Sequence, residues 1–319
     1  MPPFFFEGSG IFIAGHRGLV GSAFVRHFTA AGFTNLILRE HDELELGDKR
    51  VVEAFFADQR PEVVILAAGK VGGIVDNLTY PADFITHNLE IQTNVIQSAH
   101  RCGVQRLLFF GSSCMYPREA TQPMTEAALL SGKPEATSMA YAMAKLAGVH
   151  MCLAYNRQYG EQRFIPVIPN SVYGPNDNFD PQSGHVLSAL ISRFDRALRT
   201  DDAVTTLWGS GAPRREFIHA DDLAAACHLL LNADLSSIEL PINIGTGYDL
   251  PISELARLIA NIVGYRGDIR WDTQRPDGTL RKLLDSSRMQ ALGWQPGISL
   301  EMGIRQTYAS FLESESCHA

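Results

Sequence analysis

Short apolar runs alternate with longer amphipathic stretches along the first half of the chain. Ile11–Ala14, Asn35–Leu38, Val63–Ala67, Arg106–Phe110 and Phe164–Ile168 are bounded by Gly, Pro or polar turns, and they predict buried strands. Between them Leu19–Ala31, Lys49–Gln59, Pro81–His100 and Ser138–Tyr159 predict helices. Strands and helices alternating at this spacing imply a parallel, doubly wound α/β sheet. Right-handed crossovers then gather the strand C-termini along one edge, where a ligand binds.

The pattern changes after Tyr173. Gly174–Gly184, rich in Gly, Pro, Asn and Asp, predicts a loop; Val186–Arg199 predicts a helix and Val204–Trp208 a strand. Asp221–Leu231 and Leu240–Ile244 read as a helix and a buried strand that return to the main sheet. Ile252–Leu312 offers two or three helices and one strand, Asp268–Asp272. The expected architecture is a Rossmann-type sheet with a smaller α/β C-terminal substrate domain. Residues 1–173 plus about 215–247 form the first unit, and about 174–214 plus 248–319 the second.

Composition narrows the function. Of 319 residues, 45% are hydrophobic and 19% charged, which excludes disorder as the dominant state. The net charge is −8, and the longest basic groupings are the pairs Arg214–Arg215 and Arg281–Lys282. A nucleic-acid partner needs broader basic clusters to displace counterions, whereas isolated pairs suit one small anion. No apolar run approaches the ~18–20 residues of a membrane span. Met1–Gly10 lacks a positive n-region and is interrupted by Glu7, so it reads as a tail before a strand. The five cysteines, Cys102, Cys114, Cys152, Cys227 and Cys317, form no C-x-x-C. No metal site or disulfide framework is expected, and a cytoplasmic location is.

The predicted strand Ile11–Ala14 runs into Gly15-His16-Arg17-Gly18-Leu19-Val20-Gly21 and then a helix. Glycines at this spacing permit a tight turn and let backbone N–H groups approach a pyrophosphate at the helix N-terminus. This is a dinucleotide-binding arrangement. The second predicted strand ends at Arg39-Glu40-His41. An acid there takes the ribose 2′-hydroxyl of NAD, and an arginine accommodates the 2′-phosphate of NADP. The sequence supplies both, and the two arginines, Arg17 and Arg39, favour NADP(H).

Tyr141 and Lys145 share one face of a predicted helix. An ammonium beside a phenol favours tyrosinate, so the pair is expected to lower the Tyr141 pKa toward neutrality. Ser112, just after the fourth predicted strand, can hydrogen-bond the same reacting oxygen. Glycine turn, Ser112, Tyr141 and Lys145 together resemble the short-chain dehydrogenase/reductase superfamily, and Tyr173-Gly174-Pro175 resembles its extended, nucleotide-sugar branch.

Taken singly, Cys114 reads as a core thiol and His185 as a surface residue at a helix start. Together with ordered segments they match a narrower family. AGHRGLVG (14–21), LAAGKVGGI (66–74), YPADFI (80–85), GSSCMYP (111–117), YNRQYG (155–160), YGPNDNF (173–179), SGHV (183–186), WGSG (208–211), REFIH (215–219), INIGTG (242–247) and PDGTLRKLLD (276–285) resemble the GDP-L-fucose synthase family. That resemblance implies 3,5-epimerisation and NADPH-dependent 4-reduction of GDP-4-keto-6-deoxy-D-mannose. It implies Cys114 as base, His185 as acid, and Ser112, Tyr141 and Lys145 at the ketone and nicotinamide ribose. It places Gly15 to Gly21, Arg39, His41, Ala67, Ala68, Lys145 and His185 at the cofactor. Ser113, Asn170, Ser171, Arg193, Trp208, Arg215, Asp277 and Lys282 fall to the GDP-sugar, with Arg215 and Lys282 at its diphosphate. Two positions depart from the family pattern: Ser171 stands where an asparagine is usual, and His41 where some members carry arginine. The helices Pro81–His100 and Ser138–Tyr159 resemble those that pair two subunits, so a homodimer is expected. A simple 4-reductase or 4-epimerase needs Ser112, Tyr141 and Lys145 but no Cys114/His185 pair. A non-enzymatic dinucleotide sensor needs only the glycine turn.

Overall fold

The computed structural model describes residue 5 and residues 7–318 except 182, 238, 240 and 276; of residues 237, 317 and 318 it describes the backbone only. The start of the expected strand at Leu240 and part of the expected tail thus lie outside the described residues. Strands β1 (Ile11–Ala14), β2 (Leu36–Ile37), β3 (Val63–Leu66), β4 (Arg106–Phe110) and β5 (Phe164–Pro169) alternate with helices α1 (Leu19–Ala30), α2 (Lys49–Gln59), α3 (Ile74–Thr79), α4 (Pro81–Arg101) and α5 (Met139–Tyr159). Then come β6 (Ser171–Tyr173), α6 (Val186–Arg199), β7 (Val204–Trp208), β8 (Arg214–His219), α7 (Ala220–Asn232) and β9 (Ile242–Ile244). The chain continues through β10 (Asp249–Pro251), α8 (Ile252–Val263), β11 (Asp268–Asp272), β12 (Arg281–Lys282), α9 (Ser287–Ala291) and α10 (Leu300–His318).

Six parallel strands form the main sheet in the order β2-β1-β3-β4-β5-β9. Its strands read as predominantly apolar runs, broken only by Arg106 at the start of β4 and Asn243 in β9, because helices cover both faces. Ile11, Ile13, Val63, Ile65, Leu108, Phe110, Ile165 and Val167 point into a core shared with α1 and α7. Their neighbours Phe12, Ala14, Val64, Leu66, Leu107, Phe109, Phe164 and Ile168 point into the opposite core, under α2, α4 and α5. The period-2 alternation of a strand thus feeds two cores at once. Among the described residues, no helix is long and apolar enough to cross a membrane.

A second sheet is centred on β8, which pairs antiparallel with β10 and parallel with β12 and β6. β7 and β11 form a separate parallel pair. A third core, drawn from α6, α8 and residues including Tyr173, Leu207 and Phe217, lies under these strands. Four strands and one helix were absent from the expectations: β6, β8, β10, β12 and α3. All are six residues or shorter, and β8 opens on two arginines, which hides its apolar half.

Candidate active site

A cleft of about 1680 Å³ runs along the C-terminal edge of the main sheet, walled on its far side by residues of β7, β8 and β12. The residues after β1, β2, β3, β4 and β5 all line it, as a doubly wound sheet requires. Of the residues expected at the site, every one lines this cleft except His16 and Arg17.

The turn is built on close approach. Gly15 has φ +79, and a Cβ there would come within 2.9 Å of the Ala68 backbone. A Cβ on Gly21 would collide with the Gly15 carbonyl, so both positions admit only glycine. The Gly18 N–H donates to the Gly15 carbonyl at 3.1 Å and closes the turn onto α1. This is a cradle that backbone alone can line, and it fits a dinucleotide pyrophosphate.

At the β2 edge the cations are already engaged. Arg17 pairs with Glu40, and His41 Nε2 lies 3.1 Å from Glu45. Arg39 donates to the Leu38 carbonyl at 2.8 Å and to Gln59 at 3.3 Å, with its guanidinium over the Phe55 ring. The mixed signal of the sequence has become an ion pair between its acidic and basic members.

Ser112 caps a short 3-10 turn, Ser113–Met115, by accepting the Cys114 N–H at 3.2 Å. The same hydroxyl hydrogen-bonds the Tyr141 phenol and the Cys114 thiol, so it joins the two side chains. Burial pushes the Tyr141 phenol up, the Cys114 charge pushes it further, and the Ser112 bond opposes them only in part. The expected drop toward neutrality does not occur. Lys145 lies under the Tyr141 ring, 5.8 Å from its centroid, and burial pushes its own ammonium down to about 8. Among the described residues no carboxylate pairs with Lys145. A buried ammonium with no carboxylate partner, in the same cleft as the glycine cradle, fits a polyol ligand such as a nicotinamide ribose.

Cys114 and His185 each have a partner of opposite charge. Lys282 Nζ lies 3.5 Å from Cys114 Sγ. Burial pushes the thiol up, but Lys282 and the hydroxyls of Ser112 and Ser138 outweigh it and hold Cys114 below its ordinary range. His185 Nδ1 lies 3.6 Å from Asp177, whose side chain is 3% exposed. The hydrogen bond that the imidazole N–H donates to Asp177 raises the imidazole, burial lowers it, and the Asp177 and Cys114 charges raise it further, leaving it above its ordinary value. The Gly73 N–H donates to the Ser183 carbonyl at 2.9 Å, which ties the β3 edge of the cleft to the segment that carries His185. Asp177 had no expected role. Its only signal was an acidic residue in a loop that ends at a histidine.

Asn170 turns inward and donates to Glu216 at 2.6 Å and to the Lys282 carbonyl at 3.2 Å, so its amide N–H groups serve the fold. Ser171, next along the chain, is half-buried on the cleft wall. Arg193 donates to the Thr206 carbonyl at 3.2 Å, and Arg215 to the Arg214 carbonyl at 2.8 Å. Asp277 accepts from the Ser210 N–H at 2.9 Å and its hydroxyl at 2.6 Å. Trp208 is 46% exposed, with the Arg275 guanidinium 5.2 Å over its ring.

Known proteins bear on this geometry. Residues 11–245 match the NAD dependent epimerase/dehydratase family. The chain is 53% identical over 308 residues to a putative GDP-L-fucose synthase 2 of Arabidopsis thaliana, covering 97% of this chain and 93% of that protein. It is 50% identical over 312 residues to the GDP-L-fucose synthase of Escherichia coli K12, covering 96% and 97%. Among solved structures, MlghC, a GDP-mannoheptose C4 reductase from Campylobacter jejuni with NADP bound, superposes with a TM-score of 0.88 at 37% identity, covering 97% of this chain and 99% of that one. An extended reductase sheet, a cleft joining Ser112, Tyr141 and Lys145 to Cys114 and His185, and half-identity over nearly the whole length agree: the chain belongs to the GDP-L-fucose synthase family.

Proposed function

We propose that the chain converts GDP-4-keto-6-deoxy-D-mannose to GDP-L-fucose by 3,5-epimerisation and NADPH-dependent 4-reduction. The observation that carries this reading is the shared cleft. Two proton-transfer groups with oppositely charged partners stand in the same pocket as the serine, tyrosine and lysine of a ketone reductase.

The 4-ketone acidifies the hydrogens on carbons 3 and 5. The Cys114 thiolate takes one of these protons, and the C–H electron pair moves onto the ketone oxygen as an enolate. Ser112 and Tyr141 donate hydrogen bonds to that oxygen. The His185 imidazolium returns a proton on the opposite face, which inverts the centre. Cys114 then gives its proton to solvent and His185 takes one back, so each inversion carries a solvent hydrogen into the product. The glycine turn, Ala67, Ala68 and Lys145 would hold NADPH, which when bound would supply the hydride for carbon 4. Tyr141, kept as a phenol by burial, then gives its proton to the oxygen of carbon 4. Arg215 meets the diphosphate, and Arg193 lines the same cleft. Trp208 packs on sugar or base, and Ser113, Ser171 and Asp277 complete the wall.

A simple C4 reductase is the second reading, favoured by the name of the Campylobacter neighbour. The test is turnover with NADPH in deuterated water. Deuterium at carbons 3 and 5 of GDP-L-fucose supports the bifunctional reading; oxidation of NADPH with no deuterium there leaves only a reductase. We also propose a cytoplasmic homodimer. α4 and α5 lie side by side, joined by the Gln92 bond to the Ala144 carbonyl at 2.8 Å, and would form the subunit contact. Sedimentation as a monomer at micromolar concentration contradicts it. The two units, 1–173 with about 215–247 and about 174–214 with 248–319, would hold cofactor and GDP respectively.

A further inference from the structure

The resemblance placed Lys282 at the substrate diphosphate; the fold aims it elsewhere. β12 lies beside β8 in a register that pairs Arg281 with Arg214 and Lys282 with Arg215. On one side of this ribbon both Arg214 and Arg281 bind the same buried carboxylate, Asp249; Arg214 Nη2 is 3.0 Å from it. Strand alternation therefore turns the next residues, Arg215 and Lys282, to the other side, into the cleft. A second buried carboxylate fixes the ribbon's depth. Glu216 accepts the Leu284 N–H at 3.0 Å, the Gly247 N–H at 2.7 Å and the Asn170 amide at 2.6 Å. The Lys282 carbonyl is itself held by Asn170. A two-residue strand is thus clamped on both sides, and its lysine ends 3.5 Å from Cys114 Sγ.

We infer that Lys282 is the resident counter-ion of Cys114, holding it as a thiolate before substrate arrives, and that it acts as a positioning residue for epimerisation. This rests on the reading of Cys114 as the base. The other groups that face the thiol do not replace Lys282. Ser112 from the same turn, and Ser138 and Tyr141 from the start of α5, offer neutral hydroxyls. Arg215 from β8 shares its charge with Asp277, and His185 from the α6 side is committed to Asp177. Glu135, on the neighbouring wall, is held by Arg118 at 3.5 Å and Thr279 at 3.3 Å.

The test reads the thiol directly. Alkylation of Cys114 by iodoacetamide is followed against pH in the NADP-loaded protein, with the Cys114 peptide quantified by mass. Wild-type Cys114 is expected to react with a midpoint below the ~8.5 of a free thiol. Lys282→Met should raise that midpoint by about one pH unit or more and slow alkylation near neutrality about tenfold. The acid limb of deuterium exchange at carbons 3 and 5 should move up with it. Lys282→Arg should restore both. NADPH binding checks that each variant is folded; if Lys282→Met is not, the wild-type midpoint and Lys282→Arg decide. A wild-type midpoint at or above 8.5, or an unmoved Lys282→Met profile with only a raised substrate KM, overturns the inference and returns Lys282 to the diphosphate. Failure of wild-type exchange would instead strike the reading of Cys114 itself.

Discussion

The two halves of the cleft are built from opposite kinds of information. The cofactor side is local. Gly15, Gly18 and Gly21 fall within one strand-turn-helix, and Tyr141 and Lys145 within one helical turn. The side proposed for epimerisation is assembled from afar. Cys114 follows β4, Asp177 and His185 flank a loop before α6, and Lys282 comes 168 residues after the thiol. The chemistry differs in step. On the cofactor side burial dominates, keeping Tyr141 a phenol and bringing Lys145 down to about 8. On the other side specific partners outweigh burial, Lys282 together with the Ser112 and Ser138 hydroxyls at Cys114, and Asp177 at His185. A redox site can be laid down with a contiguous motif, whereas an acid–base pair poised at opposite charges needs tertiary register.

Substitutions can separate these halves. The largest effect is expected from Cys114→Ser, because a serine hydroxyl is too weak an acid to be ionised by Lys282. Exchange at carbons 3 and 5, followed by proton NMR, should fall about 10²–10⁴-fold while NADPH binding is unchanged. Gly21→Ala breaks the other half. Its Cβ meets the Gly15 carbonyl, so the NADPH dissociation constant should rise about 10–100-fold, measured by calorimetry. Asp177→Asn sharpens the contrast in pH. The raised His185 is an imidazolium below its folded pKa and loses that proton as pH rises through it. Removing the carboxylate lowers that point, so the alkaline limb of exchange should move down, with about tenfold slower exchange near pH 8. The smallest effect is at Glu40→Gln. Freeing the exposed Arg17 should tighten NADPH by up to about fivefold, and added salt should erase the gain.

The same contrast explains what could be read beforehand. The main sheet was legible because residues such as Ile13, Val64 and Leu108 are apolar on both faces. The β8 ribbon was not, since Arg214 and Glu216 are buried or paired through partners such as Asp249 and Asn170 that lie far along the chain. The glycine turn, Ser112 after the fourth strand and the Tyr141–Lys145 spacing point together to one cleft, which all of them line, but the expected drop in the Tyr141 pKa does not occur. Spacing reports that an ammonium is near a phenol, not that both are buried. Of Arg17 and Arg39, both expected at the cofactor, only Arg39 lines the cleft, and Glu40, Gln59 and the Leu38 carbonyl engage the two. Asp177 and the true neighbour of Lys282 left almost no trace, because neither distance exists until the ribbon and the loop are placed.

One measurement tests most directly that two separable chemistries share this cleft. Wild type, Cys114→Ser and Tyr141→Phe are each loaded with NADP⁺, which permits no reduction, and mixed with GDP-4-keto-6-deoxy-D-mannose in deuterated water. Deuterium entry at carbons 3 and 5 is followed by NMR, and NADPH oxidation is measured in parallel. The account predicts exchange in wild type, its loss in Cys114→Ser, and its survival at a reduced rate in Tyr141→Phe, which no longer oxidises NADPH. Exchange that persists unchanged in Cys114→Ser would contradict it.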